Sequence, residues 1–388
     1  MSIDRPIRVG FIFGGTSAEH EVSLASTKSI LENIDPSRIQ GTLFGISKDG
    51  NWLIGPGAWW QLYMQTDSAM LPFKIRNLPP PSVASPVETF SGFPSAEHFA
   101  GVDCLFPITH GSHGEDGILQ GFLSMTHKPV VGCGVLPSAI AYDKAATKRI
   151  VRSADVPVVK DLIVSAQEAK ESLVEVCNHI TSSFGHNNLF VKPVCGGSSI
   201  GASRVKTFDE LGDALQLAFK HDGSALVEQY IDQIELMVGV VGNGKNLIVS
   251  PSAMSQPRSD SFDSYDDKYI LETVPPIICP SAIPRDIELQ VQDMAKKVYQ
   301  AIECRGFARI DFFLDRGTSQ LYLNEVNTIP GFTASSVFPM LMKEAGLEYT
   351  ELLNHIINLA VTPESAFAMP ARPSEQGGKI SLVKKDMT

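Results

Sequence analysis

Cysteine is scarce and scattered: the 388-residue chain has six, at Cys104, Cys133, Cys177, Cys195, Cys279 and Cys304. No C-x-x-C pair or other zinc spacing occurs, which argues against a disulfide framework or a structural zinc site and for buried or free thiols in a reducing compartment. No stretch approaches the roughly 18 apolar residues of a membrane span. The polar start, Met1 to Pro6, runs directly into a strand pattern rather than an apolar leader, so a cytoplasmic location is expected. Positive charge is also in deficit, with 32 Lys and Arg against 43 Asp and Glu and a net charge of −11. That balance disfavours nucleic acid or an anionic membrane as the main partner, and any anionic substrate must be met by local Lys and Arg. Neither G-x-G-x-x-G nor G-x-x-x-x-G-K-[ST] is present, so the dinucleotide fingerprint and the Walker A loop are both absent. No internal repeat is visible.

Core-forming material is plentiful. With 43% hydrophobic residues, the length suits about two or three domains. Ile7 to Phe13 is an apolar run ending at Gly14-Gly15-Thr16-Ser17, followed by a helical pattern from Glu21 to Ile34. Strand, glycine turn and helix in that order open a doubly wound α/β unit. Further strands are expected at Gly41 to Ile46, Cys104 to Ile108 and Pro129 to Val131, giving an N-terminal α/β domain over residues 1–134. The Pro- and Ser-rich stretch within 56–95, with Pro79-Pro80-Pro81-Ser82, reads as a surface excursion.

Ser138 to Ser153 has helical spacing and carries Asp143, Lys144, Lys148 and Arg149. Strands are expected at Val158 to Ser165, Leu189 to Lys192, Ala202 to Val205 and Ala225 to Gln229, with a helix from Phe208 to His221, so residues 135–227 read as a small central α+β domain. More strands, a polar loop from Ser255 to Asp267, helices at Arg285 to Ile302 and Tyr349 to Ala360, and a hairpin make up a C-terminal α+β domain over 228–362. Residues 363–388, rich in Pro, Ser and Lys, read as a poorly ordered tail.

The hairpin carries the strongest chemistry. Its strands, Phe307 to Leu314 and Gln320 to Val326, flank Asp315-Arg316-Gly317-Thr318-Ser319. Side chains two apart share a strand face, so Arg309 goes with Asp311 and Glu325 with Asn327, and a turn near Gly317 or Thr318 sets Asp311 opposite or diagonal to Glu325. Hard oxygen ligands without His or Cys suit Mg²⁺, with Mn²⁺ as the alternative, at a site that handles phosphate. A solvated hairpin whose acidic residues face water is the structural alternative; against it, Arg309 and Asp311 interrupt an apolar run, the second strand ends in Asn-Glu-x-Asn, and Thr328-Ile329-Pro330-Gly331 turns at once.

Lys192 is followed by Pro193-Val194-Cys195-Gly196-Gly197-Ser198-Ser199-Ile200-Gly201, a loop whose backbone can close over phosphates while the lysine supplies charge. Taken alone, that loop also suits a plain flexible turn. Glu228-Gln229-Tyr230-Ile231, with Glu235 beyond, fits either an adenine-binding connector or an edge strand. His110-Gly111-Ser112-His113-Gly114-Glu115-Asp116-Gly117 lies at the end of an expected parallel strand, where α/β folds bind ligands. Glu19 is similarly placed, and its carboxylate suits a substrate ammonium; helix capping by Ser17 and Glu21 is the structural alternative.

These motifs, in this order, resemble the D-alanine–D-alanine ligase family of ATP-grasp enzymes from Val9 to Ala360. Four strings carry the resemblance: Gly14 to Ser23, His110 to Gly121, Lys192 to Gly201 and Asn324 to Thr333. It implies a mixed α/β ATP-grasp fold of three domains, with ATP between the central and C-terminal ones, and a homodimer. By position it implies that Lys144, Lys192, Ser199 and a lid lysine, Lys268, meet phosphates, that Glu228, Gln229, Tyr230 and Ile231 meet adenine, and that Glu235 meets the ribose side. Asp311, Glu325 and Asn327 would hold two Mg²⁺. Glu19 would take the ammonium of the first D-alanine, His110 would lie beside the substrates, and Ser336 with Val337 would hold the second carboxylate. The lid tyrosine, Tyr269, would close onto Ser198 and Glu235, while Arg309 and the Gly331 N–H would stabilise an oxyanion. Relatives that make D-alanyl-D-lactate change the lid tyrosine, and those that make D-alanyl-D-serine tend to carry Arg at the Val337 position. D-alanine is therefore the expected second substrate, with D-serine and D-lactate as alternatives. Asp263, where some relatives have an aromatic, and Gln233-Ile234, replacing a common Gly-containing pair, depart from the family pattern.

Overall fold

The computed structural model describes residues 5–55, 58, 88–90, 93–197, 199–255 and 276–362. Three sheets organise them.

The first sheet has strand order β4-β3-β2-β1-β5. Its parallel centre is β1 (Ile7–Gly14), β2 (Ile39–Ile46) and β5 (Cys104–Pro107), and β3 (Trp52–Ile54) and β4 (Glu88–Phe90) extend it antiparallel. Alternate residues of β1 point to opposite faces. Phe11 joins Phe106 and Ile30 of α1 (His20–Asn33) on one side, while Ile12 joins Leu105, Phe44 and Leu119 of α2 (Ile118–Ser124) on the other. Burial on both faces explains why β1 is an unbroken apolar run. The expected strand at Pro129 to Val131 reduces to one bridge, Val130 with Leu105.

The expected helix from Ser138 to Ser153 is two helices, α3 (Val135–Tyr142) and α4 (Lys144–Arg152). Asp143 breaks them: its backbone is extended, and its carboxylate accepts from the Ala146 N–H, capping α4. The second sheet, β6-β9-β7-β8, comprises β6 (Asp161–Ser165), β7 (Leu189–Pro193), β8 (Ser203–Val205) and β9 (Ser224–Gln229), all antiparallel. Its back face packs on α5 (Ala166–Phe184) and α6 (Phe208–Phe219). Helix α5 was not expected, although Ser165 and Glu168 form a reciprocal capping box at its start.

The third sheet, β13-β12-β10-β14-β15 with β11 beside β10, is antiparallel throughout. It contains β10 (Gln233–Asn243), β11 (Asn246–Val249), β12 (Ala253–Ser255), β13 (Ile277–Ile278), β14 (Gly306–Asp315) and β15 (Leu321–Asn327). One face packs on α7 (Arg285–Ala301), and Ala141 of α3 and Val151 of α4 enter the same core. On the other side, Phe307 and Phe332 meet Phe106 of the first sheet and Phe338 packs on both, with α8 (Val337–Glu344) and α9 (Tyr349–Val361) completing that core. Among the described residues, no helix is long and apolar enough to cross a membrane.

Gly306 fixes how the first and third sheets meet. Its φ is +70°, and a Cβ there would lie 2.8 Å from the Cα of Gly132. Backbone therefore touches backbone, with no flexible side chain to give way. Gly306→Ala is expected to destabilise the protein by about 1–3 kcal/mol. Thermal melting measures this, and an unchanged midpoint would show that residues 132–134 move aside freely.

Candidate active site

The two loops that leave the parallel strands at their C-terminal ends converge. Ser17 donates to the His110 carbonyl at 2.7 Å, and a Cβ on Gly111 would fall 3.3 Å from Glu19 Oε2. His110 is buried with its Nδ1 3.6 Å from Glu115 Oε1, and the other Glu115 oxygen accepts from the Gly111 N–H at 3.0 Å. Burial opposes charge on His110, but Glu115 and Glu19 outweigh it and raise the imidazole pKa above its usual range. A carboxylate, an imidazole and a tight glycine backbone thus share one end of the first sheet.

The hairpin places its oxygen ligands together. Asp311 lies directly opposite Glu325, and Arg309 opposite Asn327. On the other flank, Glu235 in β10 lies opposite Phe313, in line with Arg309 and Asp311 along the same face. A register shift between Asp311 and Phe312 leaves Asn324 as the extra residue of a bulge, and its Oδ1 is 3.5 Å from Lys192 Nζ. Arg309 grips Asp311 through Nε at 2.8 Å and Nη2 at 2.7 Å. Burial disfavours the guanidinium charge, but Asp311, Glu325 and Glu235 together hold it firmly protonated.

These donors fit a hard cation in kind. Asp311 and Glu325 are carboxylates, acceptor-only groups with about four lone-pair sites each. Asn327 Oδ1 accepts from the Ile329 N–H at 3.1 Å and retains a second lone pair. Among the described residues, no three His, Cys, Asp or Glu side chains cluster at metal distance. Mg²⁺ is usually held by one or two carboxylates, with waters and substrate phosphates completing its shell, and Asp311 with Glu325 offers that number.

The second sheet supplies cations. Lys144 and Lys148 are four apart and share one face of α4. Lys144 donates to the Gly196 carbonyl and sits 3.8 Å from Glu325. Burial lowers its pKa, and Glu325 offsets part of that effect. Lys192 pairs with Glu228 at 2.8 Å, and Lys148 grips the other Glu228 oxygen. The Glu228 carboxylate is therefore buried beneath the lysines, and only its backbone is left for a ligand at that position. Burial works against its charge, yet Lys192 and Lys148 prevail and hold its pKa at about 2.

The sign of the resulting pH dependence follows. A pKa depressed on folding contributes stability above the ordinary value of about 4.3, and loses it as pH falls towards the folded value. Stability is expected to decline from pH 5 to pH 3, and Glu228→Gln should flatten that slope whatever its own baseline. Urea midpoints measure it; an equal slope in the variant would show that other carboxylates carry the effect.

Beyond Glu228, the Gln229 N–H donates to the Lys160 carbonyl and the Tyr230 N–H to the Asn188 carbonyl. Arg204 stacks over the Tyr230 ring at 3.6 Å. Ser199 lies in the glycine loop with φ +58°, and its carbonyl accepts from the Ala202 N–H. Ser336 precedes α8, and its hydroxyl meets Thr333 at 2.7 Å and would lie 3.1 Å from a Cβ on Gly331. Val337 packs against Met237 and Leu341. Ser198, Lys268, Tyr269 and Asp263 lie outside the described residues, as do nearly all of the Pro- and Ser-rich excursion and the tail.

Glu115, Tyr142, Lys144, Gly196, Glu325 and Asn327 line one cavity of about 40 Å³, where the amino-acid loop, the glycine loop and the hairpin meet. Lys148 and Tyr142 are not among the site residues expected from sequence, and Glu115 and Asn324 enter there only as members of the His110 to Gly117 loop and the Asn324 to Thr333 string. The four-residue spacing of Lys144 and Lys148 was a usable signal for one of them.

Two antiparallel sheets, one offering lysines and a glycine loop and the other offering oxygen ligands, define an ATP-grasp fold. Residues 8–133 match the D-ala D-ala ligase N-terminus and residues 150–358 the D-ala D-ala ligase C-terminus. The D-alanine–D-alanine ligases of Caldicellulosiruptor bescii and Chlorobium phaeovibrioides are 37% and 38% identical to it, over 92% and 93% of this chain and 95% and 98% of theirs. Among solved structures, the VanG D-Ala:D-Ser ligase of Enterococcus faecalis aligns with a TM-score of 0.74 at 33% identity, covering 92% of this chain and all of that one. The D-alanine-D-alanine ligase of Coxiella burnetii gives 0.73 at 28% identity, over 92% and 94%. The chain belongs to the D-alanine–D-alanine ligase family.

Proposed function

We propose that the protein joins two D-alanine molecules to D-alanyl-D-alanine at the expense of ATP, releasing ADP and phosphate and supplying a peptidoglycan precursor. The observation that carries this reading is the meeting of Lys144 and Lys192 with Glu325 and Asn324, where the cations of α4 and the second sheet face the oxygen ligands of the third. Residues 1–134 act as the amino-acid lobe, 135–227 as the central ATP lobe and 228–362 as the catalytic lobe.

Glu19 binds the ammonium of the first D-alanine, with His110 alongside; the carboxylate of that D-alanine attacks the γ-phosphorus, so that ADP departs and an acyl phosphate forms. Lys144, Lys192, Lys268 and Ser199 receive the phosphates. Because the N–H groups of Gln229 and Tyr230 already have carbonyl partners, the Ile231 N–H is the connector donor we assign to adenine, with Glu235 on the ribose side. Asp311, Glu325 and Asn327 would hold two Mg²⁺, or Mn²⁺ in its place, which would supply positive charge to neutralise the phosphoryl group in transfer. The amine of the second D-alanine, its carboxylate held by Ser336 and the start of α8 at Val337, then attacks the acyl carbon. Arg309 and the Gly331 N–H receive the oxyanion, and phosphate leaves. Tyr269 and Ser198, with Lys268, exclude water from the acyl phosphate.

The test is to incubate the purified protein with ATP, Mg²⁺ and D-alanine and to measure ADP and dipeptide together. Equal amounts are expected, and ADP without dipeptide would refute the reading. The likeness to a D-Ala:D-Ser ligase gives the D-serine alternative a structural footing, with D-lactate behind it. Apolar packing around Val337 favours D-alanine, which competition between the three acceptors decides. Six free cysteines suit the reducing cytoplasm. We also propose a homodimer, to be checked by light scattering; Ile118, Met125, Val135 and Leu136 of α2, α3 and the segment between them are exposed apolar residues available for it.

A further inference from the structure

The front face of the second sheet is charged where its back face is apolar. Asp161 and Glu228 lie directly opposite each other on β6 and β9, and Glu228 pairs with Phe190, two residues before Lys192 on β7. All three charged side chains therefore point to one side. Helix α4 covers that side, with Ala145 against Leu226 and Lys148 against the carboxylates.

The result is a chain of alternating charge running inwards. Arg152, about half exposed, pairs with Asp161; Asp161 Oδ1 is 3.6 Å from Lys148 Nζ; Lys148 grips Glu228; and Glu228 pairs with Lys192 at 2.8 Å. The Lys148 side chain is 1% exposed and also donates to the Val159 carbonyl at 3.2 Å. Burying an ammonium this deeply is costly unless its partners recover the loss. Asp161 is already matched by Arg152, so the main partner of Lys148 is Glu228. Without Lys148, Glu228 would have Lys192 alone, and one carboxylate would cancel one ammonium. With Lys148 present, the group of three carries one net positive charge, and it emerges at Lys192, beside the hairpin.

We propose that Lys148 is a positioning residue for ATP: by neutralising Glu228 from beneath, it leaves the charge of Lys192 available to phosphate. The inference rests on the reading that Lys192 meets the phosphates of ATP. Within it, Lys148 touches neither nucleotide nor amino acid and acts only through Glu228.

The arithmetic of charge supplies a test that a structural role would not pass. Lys148→Met brings the group to zero, whereas Lys148→Met with Glu228→Gln restores one positive charge at Lys192. The KM for ATP is expected to rise about tenfold or more in K148M, with kcat changed less, and to return most of the way in K148M/E228Q. Lys148→Arg, which keeps the charge, should stay near the wild type. A KM in K148M equal to wild type would overturn the proposal, as would a raised KM that E228Q fails to lower. If K148M does not fold, the double variant decides alone: a KM raised as far as tenfold there refutes the idea, and a near-native one supports it. Lys192→Ala, measured in parallel, separates the two levels. An unchanged KM in K192A would remove Lys192 from the phosphates, whereas a raised KM in K192A beside an unchanged K148M would refute only the role of Lys148.

Discussion

Replacing Arg309 by methionine is expected to lower kcat by about 10²–10³, the cost of losing one donor to a developing oxyanion. The geometry makes the prediction specific. A guanidinium has about five N–H donors, of which Asp311 occupies one on Nε and one on Nη2, leaving three for substrate. The fork to Asp311 fixes the plane in which those three lie. Loss of Arg309 also leaves Asp311, 1% exposed, without its bidentate partner, and breaking a buried pair of this kind costs about 3–5 kcal/mol. Both losses are measurable on one sample, kcat by ADP and dipeptide release and stability by denaturant. Arg309→Lys keeps the charge but not the fork, and should recover stability more than rate. A variant that melts early yet turns over normally when folded would reduce Arg309 to a structural partner of Asp311.

Glu325→Gln should act on the metal and hardly on the fold. Its side chain is 31% exposed, and its contact with Lys144 is long, at 3.8 Å, a pairing of little worth to stability. Loss of an anionic ligand should weaken Mg²⁺ affinity by at least the ~10–100-fold that an outer-shell change costs. Turnover at ordinary Mg²⁺ should then be mostly abolished, with partial recovery at high Mg²⁺. Titrating Mg²⁺ against ADP release checks this; an unshifted titration would remove Glu325 from the metal site. Lys144 provides a second readout, because Glu325 is the foremost of the charges that oppose the lowering of its pKa by burial.

The hairpin shows how far local sequence reaches. Period-two alternation and a short turn confine the pairing of β14 and β15 near the turn to one register, which continued unbroken would set Asp311 against Asn324 and leave Glu325 diagonal to it. The bulge at Asn324 escapes this logic, because nothing in Leu323-Asn324-Glu325 marks one residue as unpaired; it arises where the ladder is re-aimed and Asn324 meets Lys192. Helix α5 had a legible start in the Ser165 and Glu168 capping box. The break at Asp143 was legible in principle, since Asp caps helices, but helical spacing on both sides of it concealed two helices as one.

What the sequence determined by itself was the set of local pieces and their chemistry: a strand and glycine turn at Gly14, a lysine ahead of a glycine loop at Lys192, and a hairpin bearing Arg309, Asp311 and Glu325. These follow from short-range rules of backbone freedom and side-chain alternation, which act within a few residues. Only the tertiary structure decided how charge is shared among them. Lys148 reads in sequence as one more cation on a helix that could face water, and Glu228 as a carboxylate on a strand end. Packing of α4 on the front of the second sheet buries both and couples them to Lys192. Coulomb energy depends on distance and dielectric rather than on sequence separation, and residues 148, 192 and 228 acquire a common distance and a common low dielectric only when the chain has folded.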